Sequence, residues 1–302
     1  MKLAHYVKNG KVGVGIVENE QIFDLKAAAK EVGLARLVDA GTVDVILSVG
    51  LLEELRQAAG KITSTKARVP VGSVRLLSPI LDPEKILLVA VNYISHGEEQ
   101  NVKPPREPYF FTKFRNALIG PEDPVLIPKV SKMVDWEVEL AVIIGRTGKY
   151  ISRKEAMDYV AGYAISNDIS FRDFQFSPRS PDGTTRLGLN WVKGKGLDSS
   201  FPLGPWLVTK DAVPDPHRLE ISLSLNGETK QRSNTGEMVY KIDSLIEYIS
   251  AGITLRPGDI ISTGTPEGVA VFTDQRFLKD GDVIDAKIEG IGTLRNPVHA
   301  EK

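Results

Sequence analysis

Val134-Asp135-Trp136-Glu137-Val138-Glu139-Leu140-Ala141-Val142-Ile143-Ile144-Gly145 alternates in its first half and is apolar in its second. Side chains alternate across a strand, so Val134, Trp136, Val138, Leu140 and Val142 share one face, and Asp135, Glu137, Glu139 and Ala141 the other. The run Val142–Ile144 carries the strand into a core. Glu137 and Glu139 therefore point together from a mostly buried element, where unpaired carboxylates are costly. A divalent cation would neutralise them, and so would an Arg or Lys pair. The plain alternative is a solvated strand face with acidic side chains.

A second acidic cluster follows at Ser166-Asn167-Asp168-Ile169-Ser170-Phe171-Arg172-Asp173-Phe174-Gln175. The apolar approach Val160–Ile165 reads as another core strand, with Asp168 at its end. Glu137, Glu139 and Asp168 make an oxygen-only donor set in a chain without cysteine. That favours a hard cation, Mg²⁺ or Mn²⁺ with Ca²⁺ also possible, over zinc. A helical turn after Asp168 would stack Arg172 and Gln175 with it.

The chain has 302 residues, a formal charge of −1 and ordinary apolar and charged fractions. That length suits one large domain and a small one. The near-zero charge gives no reason to expect a nucleic-acid partner. The missing cysteines exclude disulfides and a thiol nucleophile, and are compatible with a reducing cytoplasm, the expected location. The N-terminus is too polar for a signal peptide and no apolar run reaches membrane-spanning length.

Residues 1–77 read as a separate small α+β unit with short strands at 3–7, 13–17 and 21–24 and helical patterns at 25–32, 43–49 and 51–59. Residues 78–302 read as the main domain. It opens on the buried strand Lys85–Val91, from whose end Asn92-Tyr93-Ile94-Ser95-His96 emerges. The polar stretch 97–108 is a surface loop or one short helical turn, and fits either an exposed connector or a lid that carries a base. Ser152-Arg153-Lys154-Glu155 fits a capping box and predicts a crossover helix ending near Gly162. Alternation as a strand puts Lys193 and Lys195 on one face, so spacing does not separate them. Short, closely spaced strands with few crossovers predict a mainly β domain, a sandwich or roll.

Asn92 to His96, Asp135 to Ala141, Gly162 to Asp173, Gly194-Lys195, Pro202 to Trp206 and Thr263-Gly264-Thr265-Pro266-Glu267-Gly268-Val269 occur in one order across about residues 80–298. Together they resemble the fumarylacetoacetate hydrolase family. The resemblance implies a mixed β-sandwich roll and a homodimer. It implies a His96–Glu99 dyad on a closing lid and Lys195 at the metal site. Arg172, Gln175 and Thr265 would contact substrate oxygens, with Tyr93 and Lys113 completing the substrate set. Phe114-Arg115-Asn116 stand where many relatives have small residues, which adds a cation near the expected pocket. The Pro/Gly/Ser-rich loop 176–190 is placed to adjust substrate size.

The implied activity is metal-dependent cleavage of a C–C bond in an acylpyruvate or related 2,4-diketo acid. His96 with Glu99 would activate water, and Lys195 and Arg172 would stabilise the oxyanion. The same site suits an oxaloacetate decarboxylase, an isomerase or a sugar-acid dehydratase. A metal-stabilised binding protein for keto acids is the non-enzymatic alternative, and it leaves His96, Lys195 and Arg172 without a task.

Overall fold

Val138–Ile144 is a β-branched, apolar strand with every residue buried, and such a strand needs a cover on both faces. The computed structural model describes residues 1–176 and 190–302 and places this strand inside a twelve-stranded mixed sheet. Its main row of ten runs Arg68–Pro70, Gln21–Asp24, Lys11–Glu18, Lys2–Lys8, Phe201–Thr209, Val160–Asn167, Val138–Ile144, Ile260–Ser262, Ile86–Ala90 and Tyr109–Lys113, with Arg75–Leu77 pairing Lys2–Lys8 and Leu118–Ile119 pairing Phe201–Thr209 off that row. Neighbours in this row are antiparallel except Ile260–Ser262 with Ile86–Ala90, which are parallel. A five-stranded sheet, in the order Glu228–Asn234, Glu220–Leu225, Val283–Ile288, Gly292–Ala300 and Val125–Ile127, is the second layer.

The two faces of Val138–Ile144 enter two different cores. Val138, Leu140, Val142 and Ile144 pack with Ile221, Leu223, Ile284 and Ile288 of the second sheet and with Leu245 and Ile249 of helix Ile242–Ser250. Ala141 and Ile143 pack on the opposite side with Leu25, Ile46, Leu55 and Ile62 from helices Leu25–Glu31, Val43–Ser48 and Leu52–Thr63. The face that carries Glu139 is therefore buried rather than solvated. The result is the sheet-dominated α+β sandwich that strand spacing predicts. Residues 1–77 supply the second cover, and their first strand pairs with Phe201–Thr209 in the register Lys2↔Val208. Among the described residues no helix is long and apolar enough to cross a membrane.

Three local expectations are corrected. The stretch 134–144 is not one strand: Val134–Asp135 pairs with Ser170–Phe171, and the ladder with Val160–Asn167 begins at Val138. Asn167 Oδ1 takes the Glu137 N–H at 2.9 Å and Gln231 Oε1 takes that of Val138 at 3.0 Å, so side chains replace strand partners there. No crossover helix follows Ser152. Ser152 Oγ donates to Glu155 Oε2 at 2.6 Å, so the two capping side chains satisfy each other; a short 3₁₀ turn, Ala156–Tyr159, leads straight into the next strand. The two strands are antiparallel and need no crossover. The segment Trp191–Lys195 is helical, not extended.

His5 ties the first strand to its surroundings. Its ring is buried; Nδ1–H donates to the Ser78 carbonyl at 3.0 Å, and Nε2 accepts the Val43 N–H at the start of a helix, at 2.8 Å. Burial, only partly opposed by the Ser78 contact, lowers its pKa below the ordinary value of about 6.5. A protonated ring would also turn Nε2 from acceptor to donor against Val43. The sign follows from linkage: above about pH 6.5 both states are neutral and stability is full, and as pH falls the unfolded chain takes up a proton that the folded chain refuses. Denaturant melts at about pH 7.5 and about pH 5 are expected to show a loss on acidification that His5→Gln flattens. At neutral pH that variant costs about 1–3 kcal/mol.

Candidate active site

Antiparallel pairing closes the sequence gap between the two acidic motifs. The pairs Val138↔Asn167 and Glu139↔Ser166 bring the strand ends together, and Asp168 N–H donates to the Glu137 carbonyl at 2.8 Å. Glu137, Glu139 and Asp168 are all buried, with one oxygen from each within 4.8 Å of the others. Lys195 Nζ donates to Glu137 Oε2 at 2.8 Å, to Asp168 Oδ2 at 2.6 Å and to Ser170 Oγ at 2.6 Å. The Arg172 guanidinium uses three nitrogens: Nε to Asp135 Oδ2 at 2.8 Å, Nη2 to Glu137 Oε1 at 2.7 Å and Nη1 to Gln175 Oε1 at 2.7 Å. Lys113 Nζ lies 2.9 Å from Asp168 Oδ1 and donates to the carbonyls of Ile169 and Ser200.

Among the described residues charge compensation is incomplete: Asp135, Glu137, Glu139 and Asp168 face Lys113, Arg172 and Lys195, four carboxyls against three cations. Among the described residues Glu139 has no cationic partner; its Oε2 accepts from Ser262 Oγ and, at 2.9 Å, from the Gly264 N–H. Burial, then the charges of Asp168 and Glu137, push its carboxyl well above the usual range. Burial would raise Glu137 too, but Lys195 and Arg172 outweigh it and hold that carboxyl low. Burial pulls Lys113 down to about 8 against the attraction of Asp168. Asp168 Oδ1 has no hydrogen bond of good geometry among the described residues. A carboxylate without a cationic partner among the described residues and an all-oxygen donor set fit a hard divalent cation.

Glu137, Glu139, Arg172 and Lys195 form one wall of a cavity of about 240 Å³, together with Gln175 and Thr265, and Asp168 lies directly behind them. Thr265 Oγ1 donates to the Val138 carbonyl at 2.9 Å and accepts from Gln231 Nε2 at 2.9 Å. Val89, Phe111, Phe176 and Trp191 supply an apolar side, where Phe111 and Trp191 stack with centroids 4.6 Å apart. His96 enters from helix Ile94–Glu99, the first element after strand Ile86–Ala90. Its Nδ1 lies 2.6 Å from Glu99 Oε1. An ionised carboxylate only accepts, so Nδ1 carries a proton, and in the neutral imidazole Nε2 is the nitrogen with the lone pair.

The structure thus brings His96, Glu99, Glu137, Glu139, Asp168, Arg172, Gln175, Lys195 and Thr265 to one place. Helical geometry separates the two lysines that strand alternation left equivalent: Lys195 is buried among the carboxylates, while Lys193 lies over the Phe174 ring. Arg172 bonds Asp135 and Glu137, while Asp173 turns away to Ser131 and Lys132. Tyr93 and Lys113 do not line the cavity. Tyr93 is packed in the apolar core, and Lys113 reaches Asp168 from the protein side. Arg115 is also outside it, paired at the surface with Asp82 at 3.2 Å. The loop 176–190 falls outside the described residues except at its two ends. Asp135, Ser170, Ser262 and Gln231 complete the network without having been singled out. Ser170 and Ser262 flank motif residues, whereas Gln231 comes from the second sheet and has no local signal.

Residues 85–299 match the model of the fumarylacetoacetate (FAA) hydrolase C-terminal family. The chain is 43% identical over 270 residues to a mitochondrial oxaloacetate tautomerase of Bos taurus, covering 87% of this chain and 83% of that protein. A Xenopus laevis protein of the same description is 44% identical over 245 residues, covering 81% of this chain and 74% of that protein. Among solved structures, a maleylpyruvate hydrolase from Sphingobium sp. SYK-6 in complex with manganese(II) and pyruvate is 33% identical, with a TM-score of 0.80 and full coverage of both chains. A 2-hydroxyhepta-2,4-diene-1,7-dioate isomerase from Mycobacterium marinum is 32% identical, with a TM-score of 0.73, 100% of this chain and 99% of that chain covered. Tautomerase, isomerase and hydrolase thus share this fold, and the chain belongs to the fumarylacetoacetate hydrolase family.

Proposed function

We propose that the chain is a divalent-metal-dependent enzyme of small 2-oxo acids, and that it moves a proton at the carbon beside the keto group, as in keto–enol tautomerisation of oxaloacetate. The observation that carries this reading is a single small cavity with an oriented base on one wall and a buried acidic cluster on the other. Mg²⁺ or Mn²⁺ held by Glu137, Glu139 and Asp168 would polarise a carbonyl oxygen as a Lewis acid. Ca²⁺ satisfies the same donors.

The chain's own residues supply the rest. Glu99 fixes the His96 tautomer and stabilises the imidazolium that forms when Nε2 takes the proton. Arg172 keeps one unused N–H on each of Nη1 and Nη2 to donate to substrate oxygens, while Lys195, whose three N–H go to Glu137, Asp168 and Ser170, adds positive charge to that wall. Because Gln175 Oε1 already accepts from Arg172, its amide NH₂ is the group left to donate to a substrate oxygen. The apolar side keeps water from competing for these contacts.

Hydrolysis of the C–C bond of an acylpyruvate is the second reading. The same Nε2 would take a proton from water, and the full-length likeness to the maleylpyruvate hydrolase favours it. We put tautomerisation first, a choice supported by the higher identity to the oxaloacetate tautomerases.

Metal-stripped protein reloaded with Mn²⁺, given enol-oxaloacetate and acetylpyruvate in parallel, separates them. Loss of the enol absorbance without loss of carbon supports the tautomerase; acetate and pyruvate from acetylpyruvate move the assignment to the hydrolase. Turnover of neither substrate by metal-loaded protein defeats both. His96→Gln is expected to lower the rate about 10²–10⁴-fold with Mn²⁺ affinity unchanged. Equal activity would remove His96 from the mechanism. Glu139→Gln keeps both of its hydrogen-bond donors, so the fold should hold while Mn²⁺ affinity, read by titration calorimetry, drops about 10-fold or more. Unaltered affinity in folded protein would show that Glu139 is not a ligand.

A further inference from the structure

The two walls of the cavity differ in how they are held. The acidic wall sits on the central sheet. The base sits on helix Ile94–Glu99, six residues long, with no side-chain cap at its start. A helix that short is not stable by itself and depends on tertiary contacts. Two of its side chains reach the segment Thr263–Val269: Glu99 Oε2 accepts the Gly268 N–H at 3.0 Å, and Ser95 Oγ donates to Glu267 Oε2. The same segment touches the acidic wall, since Gly264 N–H donates to Glu139 and Thr265 lines the cavity.

That segment has little room to move. Gly264 and Gly268 have φ of +92° and +101°, and a Cβ at Gly268 would lie 2.1 Å from the Lys230 carbonyl oxygen. Trp136 Nε1 donates to the Gly268 carbonyl at 3.2 Å, and Gln231 Nε2 to that of Pro266 at 2.9 Å. Glu267 itself is half-buried and, among the described residues, forms no ion pair; the Ser95 hydroxyl is its partner. Its carboxylate thus joins a fixed segment to a marginal helix, one residue before the base.

We propose that Glu267 is a positioning residue: through Ser95 it seats helix Ile94–Glu99 so that His96 faces the acidic wall. The proposal goes beyond the reacting groups named above and rests on that reading only in taking His96 as the base. Glu267 touches neither the cavity nor the acidic cluster; it acts through Ser95.

The test uses Mn²⁺-loaded full-length protein and the variants Glu267→Ala, Glu267→Gln, Ser95→Ala and the double Ser95→Ala/Glu267→Ala. Each alanine variant is expected to lower kcat/KM about tenfold, the double no further than the worse single, because both remove one interaction. Glu267→Gln should recover most of the loss, since its carbonyl oxygen accepts the same hydroxyl. Amide exchange at 94–99 should speed up about tenfold in the alanine variants while that at 138–144 and the Mn²⁺ affinity stay unchanged. Wild-type kcat/KM with unchanged protection of 94–99 would overturn the proposal, as would multiplicative losses in the double or faster exchange throughout the sheet. If the wild type turns over no 2-oxo acid, the functional reading fails by itself, and the exchange comparison alone decides the role of Glu267.

Discussion

The ammonium of Lys195, shared between Glu137, Asp168 and Ser170, is the contact on which the site depends. Removing one partner of a buried ion pair costs about 3–5 kcal/mol, because the charge left behind has no water to return to. Here the carboxylates stand at the ends of two central strands, so they could not be buried without cations delivered from elsewhere in the chain. Arg172 and Lys113 share that task, one from the turn after Asp168 and the other from the edge strand Tyr109–Lys113. Among the described residues the compensation stops one charge short, at Glu139. An arrangement built for stability alone would not leave a buried carboxylate facing two others. That deficit is what makes the cluster receptive to a cation.

The sandwich creates the conditions for this electrostatics. The strand that carries Glu139 is covered by the second sheet on one face and by the N-terminal helices on the other. The cluster therefore sits where water is scarce, and charges act on one another over short distances with little screening. Without the N-terminal helices, Ala141 and Ile143, on the face that Glu139 shares, would be exposed to water, so residues 1–77 support the strand that carries Glu139.

How much of this is legible in the sequence depends on how local each signal is. The period-two pattern of residues 134–145 puts Glu137 and Glu139 together, and the apolar run before Asp168 marks a second strand end; both are short-range facts. The choice between Lys193 and Lys195 turns on whether five residues coil into a helix, and spacing read as a strand leaves it open. Arg115 looks like a pocket cation in the sequence, yet Asp82, more than thirty positions earlier, takes it to the surface. Ser152 and Glu155 spell a helix start, but their side chains bond each other and the helix does not form. Gln231 binds Val138 and Thr265 from the second sheet, and nothing in its own neighbourhood announces it. What fails is what depends on a partner distant in the chain.

The division between a fixed wall and a lightly held one has a physical reason. Ligands of a small hard cation must keep their geometry, so they belong on elements with the largest buried cores around them. A base that meets a substrate entering from solvent must be able to part from the cluster and return, so it belongs on an element held by few contacts. Helix Ile94–Glu99 meets that requirement, being joined to the 263–269 segment by the Ser95 and Glu99 side chains. The segment is pinned by glycines that tolerate no side chain and by Gln231 and Trp136 behind it. It therefore serves as a common reference for both walls, since Glu139 and Glu99 each accept one of its backbone N–H groups. With helix Ile94–Glu99 seated on that segment, His96 stands in register with the cluster.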